Sequence, residues 1–95
     1  MFMKKRIETK LREAFSPCSL RVKDESHLHV SHGNYHPGGG SHFRIKLVSP
    51  LFKGCSRIDR HRQVYTCLKE ELNDGMHALC LTLLSPEEAA SIAPE

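Results

Sequence analysis

The sequence predicts an α+β domain in which a three-stranded mixed sheet carries helices on one face. Three observations lead there. Apolar spacing switches along the chain between a period near 3.6 and a period of 2, so helical and extended segments alternate. A strand, a helix and another strand follow one another between Phe43 and Leu84, and a right-handed crossover lays such strands parallel. The chain has 95 residues, 39% of them hydrophobic and 26% charged, which is the balance of one globular unit. One domain over 1–95 is expected, with its core at about 4–92.

The elements can be justified in order. Met3, Ile7, Leu11, Ala14 and Phe15 recur at helical spacing, and Pro17 stops the helix because it lacks an N–H and restricts Ser16. Leu20 and Val22 alternate with Arg21 and Lys23, as in a half-buried strand that ends at Asp24-Glu25-Ser26. From 27 to 41 the chain is polar and rich in glycine, which predicts a flexible loop. Phe43, Ile45 and Leu47 then alternate with Arg44 and Lys46, giving a second strand, antiparallel to the first, with one apolar and one cationic face.

Ser56 and Asp59 resemble a capping box with the shorter acid, opening the main helix. Ile58, His61, Val64, Tyr65, Leu68 and Leu72 trace one face of it, its end falls near Asn73, and Gly75 takes the left-handed position beyond. Met76 to Leu84 reads as a well-covered strand. Ser85-Pro86-Glu87-Glu88 places an N-cap, a first-turn proline and a reciprocal glutamate for a short last helix.

Charge is unevenly spread. Residues 1–12 hold five basic and one acidic side chain, and 41–67 hold six and one, whereas 68–95 hold one and six. Such a molecule can meet phosphate or an acidic protein with its basic side. Cys18, Cys55, Cys67 and Cys80 lie far apart and are expected as free, mostly buried thiols. No apolar run reaches a membrane span and the first residues do not resemble a signal peptide, so a cytoplasmic location is expected.

Candidate chemistry centres on histidine. His27, His29, His32, His36 and His42 fall in or beside the loop, and His61 and His77 are the others. No zinc-hydrolase helix motif, Ser/His/Asp order or phosphate-binding lysine motif accompanies them, so the chain is not expected to be an enzyme. His61 is expected as a hydrogen-bonded core imidazole, whereas His77 follows the Gly75 turn at the start of a strand, where it can stay accessible.

Asp24-Glu25-Ser26-His27, Ser41-His42-Phe43-Arg44, Phe52-Lys53-Gly54, Arg60-His61-Arg62-Gln63-Val64-Tyr65, Glu70-Glu71-Leu72, His77-Ala78-Leu79 and Ser85-Pro86-Glu87-Glu88 occur in this order. Together they resemble the BolA family from about Ile7 to Glu88. The resemblance implies a KH-like fold of class II type. It also implies complexes with monothiol glutaredoxins that share a bridging 2Fe-2S cluster, the partner supplying a cysteine and a glutathione thiol. On this side the ligands would be His77 and a loop histidine, His29 by its place in Ser-His-x-His, with His32 in reserve. No cofactor is expected in the isolated protein, which should be a monomer or weak dimer. The implied role is accessory: iron homeostasis, cluster trafficking and stress response.

Two other functions compete. Some bacterial members of the family regulate transcription, and Arg44, Lys46, Lys53, Arg57, Arg60 and Arg62 could track DNA phosphates or a protein partner. Against a KH-style RNA reader, the chain has no Gly-x-x-Gly and no aromatic pair on the cationic strand face. The third possibility is an adaptor that needs no cluster.

Overall fold

The computed structural model describes residues 3–25, 42–76 and 78–91. The elements are α1 (Met3–Phe15), β1 (Ser19–Asp24), β2 (His42–Val48), a 3-10 turn (Pro50–Phe52), α2 (Arg57–Cys67), α3 (Lys69–Asn73), β3 (Ala78–Leu84) and α4 (Pro86–Ala90). The sheet order is β1-β2-β3, with β1 antiparallel and β3 parallel to β2. This is the expected mixed α+β sheet.

Alternation sorts the strands into an apolar and a polar side. Val22, Phe43, Ile45, Leu47 and Leu83 turn inward and meet Ile7, Leu11 and Phe15 of α1, Phe52, and Val64 and Leu68 of the following helical segment. The rings of Phe15 and Phe52 stack tilted, with centroids 5.1 Å apart. Ser49 is buried at the corner after β2 because both its roles are used: its hydroxyl donates to Phe15 O at 2.8 Å and accepts from Leu51 N. No helix among the described residues is long and apolar enough to cross a membrane.

Three expectations need correction. The main helix is interrupted at Leu68 (φ −101°, ψ 18°) into α2 and α3, and its inward line runs Arg60, Val64, Leu68, Glu71. Val64 and Leu68 lie inward as expected and Leu72 packs against the core, but Ile58, His61 and Tyr65 do not share that line. Ile58 (63%) and Tyr65 (40%) are exposed, and His61 is a half-buried outer residue whose Nδ1 lies 2.8 Å from Arg57 O, not a core imidazole. The hydrophobic period failed because the inward places at 60 and 71 are held by ions. Glu71 is sealed against α1 by Arg6 Nη2 and Lys10 Nζ, each at 3.0 Å from a carboxylate oxygen.

The second correction concerns β3. Ala78, Cys80 and Thr82 are exposed, so this strand is covered on one face only and sits at a sheet edge. The third concerns the thiols: all four cysteines are free, but Cys18, Cys55 and Cys67 are only half-buried and Cys80 is exposed. The capping reading of α4 holds in full. Ser85 Oγ accepts from Glu88 N, and the Glu88 carboxylate accepts from Ser85 N at 2.8 Å.

Candidate functional site

The chain's direction through the sheet decides what can meet at its ends. Asp24, at the end of β1, pairs with Phe43, and His42, at the start of β2, pairs with Ala78, at the start of β3. Glu25 N donates to His42 O at 2.8 Å. One end of the sheet therefore holds both anchors of segment 26–41 and the first strand residue after position 77. His77, His29 and His32 themselves lie outside the described residues, as do His27, His36 and the expected flexible loop.

The described part of that end is concave, with a cavity of about 210 Å³ whose lining is mostly apolar (Phe43, Ala78 and Leu79) and which is bordered by Glu25, His42, Arg44 and Cys80. Glu25 has a side chain only 14% exposed and takes Arg44 Nε on both oxygens at 3.2 Å. Arg44 Nη1 also reaches over β3 to Cys80 Sγ at 3.4 Å. Arg44 is thus held across the sheet end, although its side chain remains exposed. Among the described residues no group of three or more His, Cys, Asp or Glu side chains could hold a metal ion.

The second functional surface is the open face of the sheet. Register places Arg21 opposite Lys46 and Lys23 opposite Arg44, a block of four cations on neighbouring strands. The outward positions of the three strands hold no acid, and the carboxylate that meets this block is Glu25, just past β1, on Arg44. Arg21 and Lys23 were missed as site residues. Their signal was present, since they alternate with Leu20 and Val22, but only the register shows which cations they join.

The six basic residues expected to act together do not share this face. Arg44 and Lys46 are on it, whereas Lys53 lies 3.7 Å from Glu87 at the α4 side. Arg57 and Arg62 belong to the outer face of α2, where Arg62 is 3.9 Å from Asp59. Arg60 must be removed from the set. It is 6% exposed and donates to Cys55 O and Leu83 O, each at 3.0 Å, and to Glu88 Oε1 at 2.6 Å. The Ser85 backbone N–H and then the Arg60 guanidinium pull the Glu88 carboxyl down to about 2. Burial pushes the Cys67 thiol up.

Known proteins share this geometry. The BolA-like protein family model matches residues 11–88. The chain belongs to the BolA family. It is 47% identical over 81 residues to the DNA-binding transcriptional regulator BolA of Escherichia coli, covering 85% of this chain and 73% of that one. It is 45% identical over 82 residues to the protein of the same description from Haemophilus influenzae, covering 86% and 76%. The solved structure of BolA1 from Arabidopsis thaliana superposes with a TM-score of 0.81 at 33% identity, covering 99% of both chains. Membership accounts for the arrangement of strands and helices, and the two bacterial relatives carry the names of regulators.

Proposed function

We propose that this BolA-family chain docks a monothiol glutaredoxin and shares with it a bridging 2Fe-2S cluster, to which it contributes His77 and a histidine between β1 and β2. His29 is the assigned second ligand and His32 the reserve. The observation that carries the reading is the register of the sheet end, which brings the anchors of 26–41 beside the start of β3. Two ligands from segments far apart in sequence can then serve one centre.

When bound, the cluster would supply an electron-accepting, transferable iron–sulfur unit. Two imidazoles in place of thiolates lower the negative charge on one iron and raise its potential. The sulfur donors come from the partner and glutathione. Because only the neutral imidazole binds metal, acidification below about pH 6.5 competes for the ligands.

The test is to mix the chain with a monothiol glutaredoxin, iron, sulfide and glutathione, and to record visible absorption and circular dichroism. His77→Ala should lose the spectrum of the mixed complex while keeping a native far-ultraviolet signal. If the visible spectrum is the same with and without His77, the assignment is wrong. If the two proteins associate equally well without iron, sulfide or glutathione, the chain works as a cluster-independent adaptor.

A second reading is favoured by the four-cation face together with the names of the two bacterial relatives: contact with DNA phosphates. This face has no stacking aromatic, so its binding would be mostly electrostatic. Replacing Arg21 and Lys46 by alanine should reduce the slope of log K against log salt by about 2, close to one for each phosphate that is no longer neutralised. An unaltered slope would remove this face from the DNA reading.

A further inference from the structure

The two edges of the sheet are treated differently by the sequence. β1 carries Arg21, Lys23 and Asp24, and charged side chains of this kind discourage another strand from adding. β3 reads Ala-Leu-Cys-Leu-Thr-Leu-Leu, seven residues with no charge and no proline. An edge of that composition is a template for strand pairing unless something covers it.

Two hydrogen bonds fix which backbone groups of β3 face outward. Leu84 O accepts from Ser49 N, just past the end of β2, so the polar groups of Leu84 point toward β2. Leu83 O instead accepts from Arg60, which reaches it from α2. Successive residues of a strand turn their N–H and C=O to opposite sides, so Leu79 and Leu81 point the same way as Leu83, to the open edge. Arg60 satisfies the carbonyl of Leu83. Among the described residues no strand pairs with Leu79 or Leu81 on that side.

This edge is also concave. A groove of about 290 Å³ runs along Leu81 to Leu84, walled by Arg57 and His61 of α2 and by Glu88. We propose that β3 is a docking edge for an extended, acidic segment of a partner protein, which adds as a fourth strand. Backbone pairing at Leu79 and Leu81 gives the affinity, and side chains of alternate parity meet different walls. Beside Glu88, which Arg60 already pairs, the helix-side wall carries one cation left over. On the helix side stands Arg57, exposed and without an ion-pair partner among the described residues. On the open-face side the Arg44 guanidinium reaches over β3 to Cys80 but is already engaged by Glu25, so it adds no free charge. An incoming strand whose carboxylates face α2 finds Arg57, whereas a basic strand is repelled by it. The groove lies toward the Leu84 end of β3, while the pairing positions begin at Leu79, two residues after His77; the probe is applied to the chain alone, so its outcome does not depend on the cluster reading.

The probe is a capped valine/threonine peptide of about 7 residues, enough to span β3, with glutamates at both parities. The matched control carries lysines instead. Amide hydrogen exchange and amide shifts are read by NMR on the isotopically labelled full chain. In the free protein the amides of Leu79 and Leu81 should exchange faster than those of Cys80 and Thr82. The acidic probe should slow exchange at Leu79 and Leu81, and the lysine control should not. Arg57→Glu, an exposed substitution that leaves the core untouched, should weaken the probe by about tenfold, the effect of turning one interfacial ion pair into a repulsion.

Protection of the same amides that grows with protein concentration in the absence of probe would show a second copy as the occupant and overturn the proposal. Shifts confined to the outward side chains of Arg21, Lys23 and Lys46 would place the acidic peptide on the sheet face and also overturn it. So would the absence of protection at millimolar probe.

Discussion

An arginine can sit inside a small protein when its charge is paired and hydrogen-bonded, and Arg60 has both: Nε donates to Cys55 O, and Nη1 to Leu83 O and the Glu88 carboxylate. Its guanidinium also lies 5.8 Å from the centre of the Phe52 ring. Glu88 gains from the same arrangement, and the gain depends on pH. Its folded carboxyl is depressed to about 2 from an ordinary 4.5, first by the Ser85 N–H and then by Arg60. A depressed carboxyl contributes stability above its unfolded value and loses it as the pH falls through the folded value. The thermal midpoints of wild type and Glu88→Gln should therefore differ most above pH 5 and converge as the pH approaches about 2. A gap that stays constant over that range would show that Glu88 ionisation contributes nothing.

At the scale of elements, the signals that name a particular hydrogen bond were legible. Ser85-Pro86-Glu87-Glu88 specifies two reciprocal bonds, and both are present. Ser85→Ala should cost about 1 kcal/mol in urea denaturation, the usual loss for an N-cap. A change of less than a few tenths would mean that Arg60 alone holds α4. Ser56 likewise caps α2 through Asp59 N at 3.1 Å. Signals that rest on averaged polarity were less legible. Ile58 and Tyr65 look outward while the inward line of Val64 and Leu68 is completed by Arg60 and Glu71, so a count of apolar residues set the face too wide and missed its charged members. Periodicity also cannot say which strand is an edge. β3 was expected to be well covered because it is apolar, and its leucines do alternate inward, but its neighbour on one side is a groove.

Across the whole molecule, the order of strands and the direction of the crossover followed from sequence because few connections between these elements are possible. The cationic surface did not. Arg21 and Lys23 come from a segment separated from Arg44 and Lys46 by the long 26–41 stretch, and only strand pairing makes them neighbours. The proposed ligands were legible as motif positions. The described structure adds to them the proximity of their anchors at one end of the sheet.

The family region starts at residue 11, yet the two side chains that neutralise Glu71 precede it. Glu71 has a side chain 1% exposed, whereas Arg6 and Lys10 keep 27% and 31% of theirs in water. Shortening the protein to begin at Leu11 would strand a carboxylate in the interior, a penalty of about 3–5 kcal/mol in comparable buried pairs, besides losing Ile7. The sign of one substitution should then invert. Glu71→Gln weakens the full-length protein but should rescue the shortened one, and denaturation curves of the four variants would reveal that reversal. Equal effects in both backgrounds would mean that the first helix guards nothing but its own hydrophobic contacts.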